Sequence, residues 1–107
     1  MKPILLSEYR RKTPRAMKPY VCAECLGAIA RGEHYARYMA SRKEKGVNLM
    51  HEVFRCQHCD VLAKRINETT PDNPVLPEEL ASRVTANPEW RTAFDENAAR
   101  RTKGKAA

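Results

Sequence analysis

Large apolar side chains are scarce in this chain of 107 residues. Isoleucine, leucine, valine and phenylalanine make up about 17% of it, under the roughly 20% below which a charged chain tends to stay unfolded. Much of the remaining hydrophobic content is alanine, 14 residues whose methyl groups bury little. Long apolar runs are missing too. Ile4-Leu5-Leu6, near the start, is far short of a signal-peptide core, and no stretch approaches the length of a membrane span. No glycine-rich phosphate loop and no Ser/His/Asp grouping is visible. These absences argue against a membrane partner and point to a cytoplasmic setting. They also leave too little core for a small domain to fold on burial alone, so a covalent or coordinate link has to supply stability.

Cysteine is present in a form that meets this need. Its four residues fall into two CxxC pairs, Cys22-Ala-Glu-Cys25 and Cys56-Gln-His-Cys59, with none left over. In a reducing compartment such pairs read as metal ligands sooner than as disulfides. A redox dithiol would need only one pair and a βαβ setting. Four cysteines could also hold an iron–sulfur cluster, or His51 or His58 could replace one of them in the shell. The preferred reading is one structural Zn2+ held by Cys22, Cys25, Cys56 and Cys59. Four thiolates leave no open position for water, so such a metal is scaffold and not catalyst.

Around these ligands the chain divides into segments. Residues 1–19 form a basic arm, broken by Pro3, Pro14 and Pro19 and lacking a helical or strand period, which is expected to be flexible. Residues 20–68 form the metal module. Gly27 follows the first cysteine pair, where the chain turns tightly. Residues 32–39 read as a strand, Ser41-Arg-Lys-Glu-Lys-Gly46 as a hairpin tip, and residues 47–54 as the returning strand. Tyr35 and Tyr38 fall on opposite faces of a regular strand, so at most one of them is expected to be buried. The second cysteine pair opens into a helix with Leu62 and Ile66 one turn apart and Asp60 near its start. Residues 69–76 read as a linker and residues 77–101 as a helical extension. Its first helix starts from Pro77, and its second is capped by Asn87 ahead of Pro88. Residues 102–107 read as a disordered tail. The expected fold class is a small α+β zinc-bound domain of knuckle, β-hairpin and helix, with two short C-terminal helices and a basic N-terminal arm.

The order of knuckle, hairpin and CxxC at a helix start resembles the treble clef family of zinc domains over residues 20–68. Cys22, Cys25, Gly27, Cys56, Cys59 and the helix after Cys59 carry the match. The stretch CAECLGAIARGEHYAR is also similar to small zinc-finger proteins encoded by phages and prophages, through Cys22, Cys25, Ile29, Gly32, Glu33, Tyr35 and Arg37. That resemblance implies a phage origin and a bacterial host cell. Some treble clef relatives are HNH-type nucleases, with an acidic-His start to the hairpin and a later His or Asn on the helix. Here the hairpin begins Gly32-Glu-His-Tyr and the helix offers only Asn67, so no catalytic residue is assigned and no enzyme is expected.

Charge suggests one functional reading and the C-terminal pattern another. The net charge is +7, and residues 1–20 alone carry +5. Arg10, Arg11, Lys12, Arg15 and Lys18 on the arm, Arg37 on the strand, and Arg42, Lys43 and Lys45 at the hairpin tip are candidate contacts to DNA or RNA phosphates. Tyr9, Tyr20, Tyr35 and Tyr38 are candidate stacking surfaces. The second reading is a protein-interaction module that modulates a host enzyme or nucleoprotein complex. It would use Leu80, Val84, Trp90 and Phe94 on the C-terminal helices as interface anchors.

Overall fold

The computed structural model describes residues 4–106, and the side chains of residues 4–100. Two very short strands, β2 (Tyr20–Val21) and β3 (Ala28–Ile29), pair antiparallel and close a knuckle around the first cysteine pair. The Cys22 N–H donates to the Gly27 carbonyl at 2.9 Å, and the Leu26 N–H donates to the Cys22 carbonyl at 3.0 Å. The left-handed residue of this turn is Leu26, at φ 62°, and not the glycine that follows it. Leu26 is largely exposed, so its side chain does not clash in that conformation.

A long hairpin follows. Strand β4 (Tyr35–Glu44) pairs antiparallel with β5 (Val47–Cys56) from Tyr35 opposite Cys56 to Glu44 opposite Val47. The polar stretch 41–46, expected as a loose tip, is instead mostly ladder. Only Lys45 and Gly46 turn, at φ 50° and 78°. Two left-handed residues in succession make a primed turn whose twist matches that of the strands, so pairing continues up to it. Polar composition marked these residues as solvent-exposed, but it did not exclude strand structure.

The arm departs from expectation in the same way. Residues 10–12 form β1 (Arg10–Lys12), antiparallel to β4, which gives a three-stranded sheet in the order β1-β4-β5. The segment after it is also tied down. The Ala16 N–H donates to the Glu33 carbonyl at 2.8 Å, the Gly32 N–H to the Ala16 carbonyl at 2.7 Å, and Ala16 is buried. A three-residue strand on an open sheet edge is too short to show a period, and this hid it in the sequence.

Helix α1 (Gln57–Thr69) starts directly from β5, with Cys56 as its N-cap residue. Cys59, Leu62, Ala63 and Ile66 face the interior, spaced by three and four residues. The segment after α1 is not a loose linker, because the Val75 N–H donates to Asn67 Oδ1 at 2.6 Å and Val75 is buried. Helix α2 (Leu80–Val84) starts later than the expected Pro77, since Glu78 sits at φ 76° and breaks any earlier turn. Helix α3 (Pro88–Ala106) begins as expected: Asn87 Oδ1 accepts from the Glu89 and Trp90 N–H groups at 3.0 and 3.2 Å. Its backbone continues past residue 101, while the side chains of the expected tail lie outside those described.

The principal core joins α1 to the C-terminal helices. Ile29, Leu62, Ile66, Val75, Leu80 and Val84 are buried in it, with Trp90 and Phe94 partly buried against it. Leu80 and Val84 are thus interior residues and not the exposed anchors of an interface. The chain has so little large apolar material that this core needs both of them. A second, smaller core lies on the opposite face of the sheet, where Ala36, Tyr38 and Val53 pack with Leu6 and Tyr9. Because both faces are covered near the root of the hairpin, Tyr35 and Tyr38 are both buried, one in each core. Leu80 is fully buried, so Leu80→Ala is expected to lower stability by about 2–5 kcal/mol in urea unfolding. A loss under about 0.5 kcal/mol, the range of surface substitutions, would mean that α2 does not dock.

Candidate metal centre and basic sheet face

The knuckle delivers Cys22 and Cys25, and the junction of β5 with α1 delivers Cys56 and Cys59. Their four Sγ atoms all lie within 4.8 Å of one another, with Cys25 and Cys56 sulfurs 3.9 Å apart. A tetrahedral thiolate site with metal–sulfur bonds of about 2.3 Å places its sulfurs roughly 3.8 Å apart, so the cluster has the dimensions of such a site. Cys22, Cys56 and Cys59 are buried and Cys25 is partly so; none is in a disulfide. The Cys56 N–H donates to Cys22 Sγ at 3.2 Å, a contact that favours negative charge on that sulfur. The Cys22 thiol is held far below its usual range by hydrogen bonds from Cys25, Cys56 and Cys59. Its hydrogen bond in turn pushes Cys56 and Cys59 well up. Four thiolates this close repel one another, and a divalent cation removes the conflict. The donor set therefore fits a metal ion.

Beside the sulfurs lies an ionic network that sequence reading missed. Arg55 and Glu24 have side-chain exposures of 2% and 0%, with Arg55 Nε and Nη2 donating to Glu24 Oε2 at 2.8 and 2.6 Å. Glu24 also accepts the N–H groups of Glu78 and Leu80 at 3.1 and 3.2 Å, which fastens the start of α2 to the knuckle. On the other side, Arg55 Nη1 lies 3.4 Å from Asp60 Oδ1, and Asp60 accepts from Tyr38 Oη at 2.6 Å and Arg11 Nη2 at 2.5 Å. Burial alone would raise the Asp60 pKa, but the bonds from Arg11 and Tyr38, with the two guanidinium charges, outweigh it and lower the value. In sequence Glu24, Arg55 and Asp60 are merely charges in a highly charged chain. The available signal was their position: each is the immediate neighbour of a cysteine.

The nine expected phosphate contacts divide into groups. Register places Arg10 opposite Met39, Lys12 opposite Arg37, Arg37 opposite Phe54 and Lys43 opposite Asn48. Arg10, Lys12, Arg37 and Lys43 therefore share one face of the sheet with a single acid, Glu52, which accepts from Arg37 Nε at 2.9 Å. Lys45 stands at the turn and is exposed. Arg11 and Arg42 lie on the opposite face in ion pairs, with Asp60 and with Glu8 and Glu44, just as Arg37 on the first face is paired with Glu52. Arg15 lies 3.4 Å from His34 Nε2, and the Lys18 ammonium sits 5.7 Å from the centroid of the Tyr20 ring. The tyrosines do not form a stacking platform either. Tyr35 and Tyr38 are buried, and Tyr9 and Tyr20 pack edge-on or tilted against them.

Elsewhere, His51 pairs with Glu78 at 2.5 Å, Glu52 with Arg37, and Asn67 holds the loop after α1. Among the described residues the four cysteines are the one grouping suited to hold a metal ion. No described helix is long and apolar enough to cross a membrane. No family model matches the chain, and neither a curated protein nor a solved structure does.

Two outcomes are expected. The purified protein should bind one divalent ion per chain, shown by elemental analysis, and lose its fold when a strong chelator removes that ion. A stable fold in the metal-free protein would exclude a metal scaffold. Glu24→Gln, which strands Arg55 with half its compensation, should cost about 3–5 kcal/mol in denaturant unfolding. A cost below about 1 kcal/mol would place the network outside the stabilising frame.

Proposed function

We propose that this chain is a zinc-stabilised nucleic-acid-binding protein, in which a closed site of four cysteines holds the frame and a basic sheet face contacts phosphates. Zinc suits the all-thiolate donor set and the tetrahedral spacing best among common divalent ions, and its role is structural, because four protein ligands leave no site for a reacting water. The succession of knuckle, hairpin and helix supports a treble clef reading. The motif similar to phage zinc fingers is accounted for largely by structure. Ile29 is core, Gly32 turns at φ 88°, Glu33 accepts the Ala30 N–H at 2.7 Å, and Tyr35 is buried. These residues build the corner between knuckle and hairpin, so the motif bears on fold and origin and gives no activity.

The observation that carries the nucleic-acid reading is the alignment of Arg10, Lys12, Arg37 and Lys43 on one face whose lone acid is Glu52. Two strands from separate parts of the chain, β1 and β4, bring the four cations together, and with Glu52 of β5 the net local charge is about +3; a fixed array of cations is what counter-ion release from a polyanion requires. The competing reading, a docking role for the C-terminal helices, loses Leu80 and Val84 to the core and retains only the partly exposed edges of Trp90 and Phe94.

A salt titration of the metal-loaded protein against short DNA and RNA tests this. Affinity should fall log-linearly with salt, with a slope reflecting about three phosphate contacts, and Arg10→Ala or Lys12→Ala should each reduce that slope by about one. Binding that ignores salt, or that survives loss of both side chains unchanged, would refute the assignment of this face.

A further inference from the structure

The sheet is three strands wide only at its root. Strand β1 pairs with β4 at Arg37, Tyr38 and Met39, and beyond Met39 the hairpin continues alone to Glu44 and back from Val47. Five further residues on each strand, about 17 Å of ladder, continue as a two-stranded ribbon; its reverse face meets Glu8 through Arg42 and Glu78 through His51, so the end from Lys43 to Asn48 is the part that projects. Along this extension the basic face carries Ser41 and Lys43 on β4, with Asn48 and Met50 on β5. Lys43 lies directly opposite Asn48, and Ser41 opposite Met50. Ser41, Lys43, Asn48 and Met50 are all exposed, Met50 at 68%. An exposed methionine beside a lysine–asparagine pair contributes nothing to either core.

We infer that this ribbon enters the major groove of B-form duplex DNA, with Lys43 and Asn48 meeting base edges. This rests on the nucleic-acid reading above and names its substrate. A major groove about 12 Å wide and 8.5 Å deep admits a two-stranded β-ribbon. The ribbon end carries the residue types that read that groove: lysine for guanine O6 and N7, asparagine for adenine N6 and N7, and an apolar side chain for the thymine methyl. The root of the same face carries Arg10, Lys12 and Arg37, one strand pair back from the ribbon. With the tip in the groove, these cations lie toward the flanking phosphates and set position without reading sequence. The opposite face does not offer this division, since its Arg42 is paired with Glu8 and Glu44. A-form RNA has a major groove too deep and narrow for such a ribbon, which makes the choice of duplex a consequence of shape.

The test uses the full metal-loaded chain with duplex DNA, single-stranded DNA and duplex RNA of one sequence, followed by fluorescence anisotropy. Duplex DNA is expected to bind about tenfold or more tighter than duplex RNA. Methylating guanine N7 in the bound duplex should interfere with binding. Lys43→Ala with Asn48→Ala, both at exposed positions, should flatten preference among selected duplexes, whereas Lys12→Ala should weaken all of them alike. Metal content and circular dichroism report that each variant is folded. Salt-dependent binding that is indifferent to N7 methylation, or as tight on RNA or single strands, would overturn groove insertion and leave the phosphate reading standing. Absence of binding to any of the three at low salt would overturn both.

Discussion

The rest of the fold depends on the meeting of two short segments, residues 22–25 and 55–60, through sulfur and charge at once. Each member of the buried network adjoins a cysteine: Glu24 precedes Cys25, Arg55 precedes Cys56, and Asp60 follows Cys59. Closing the four sulfurs into one cluster therefore also draws Arg55 between its two carboxylates. The converse holds as well, because the ion pair positions the backbone that presents the thiolates. A structural metal ion bound at such a cluster would contribute on the order of 10–16 kcal/mol of apparent binding free energy, comparable with the entire stability of a domain this size. With so few large apolar residues, coordination at the four cysteines would supply what burial cannot.

From that frame the other parts extend outward. Glu24 accepts two N–H groups at the start of α2, so the knuckle orients the C-terminal helices as well as the metal ligands. Asp60 holds Arg11 and Tyr38, which brings β1 onto the sheet and the second core beneath it. The result is a domain with its stability concentrated at one end. The distal ribbon has no core of its own and is held by its ladder, a two-residue turn, and the pairs of Arg42 with Glu8 and His51 with Glu78 on its reverse face. A projecting element of this kind is suited to contact, because its surface is not committed to packing.

The sequence made some of this legible. Two CxxC pairs separated by a hairpin-length spacer marked the four cysteines that cluster, with His51 and His58 left as alternatives, and Asn87-Pro88 marked the start of α3. Polar and basic stretches were harder to read. Residues 10–12 and 41–44 appeared as arm and tip because charge signals solvent exposure, and strands exposed on a face obey no hydrophobic alternation. Leu80 and Val84 looked surplus because composition cannot say how much of a small core is needed. Arg55 could not be found by type, since buried arginine is rare and its partners lie 31 residues away and 5 residues away in sequence.

The open ribbon has a consequence for how copies of the chain behave toward one another. Beyond Met39 no strand among the described residues pairs with either edge of the hairpin, which leaves its outward backbone N–H and C=O groups outside any ladder. Such edges are templates for strand addition between molecules. Lys43 and Lys45 near the turn oppose this by electrostatic repulsion between approaching hairpins. The positive charge of the ribbon thus discourages edge pairing between copies of the chain. Changing that charge alters solubility and self-association together with any contact it makes.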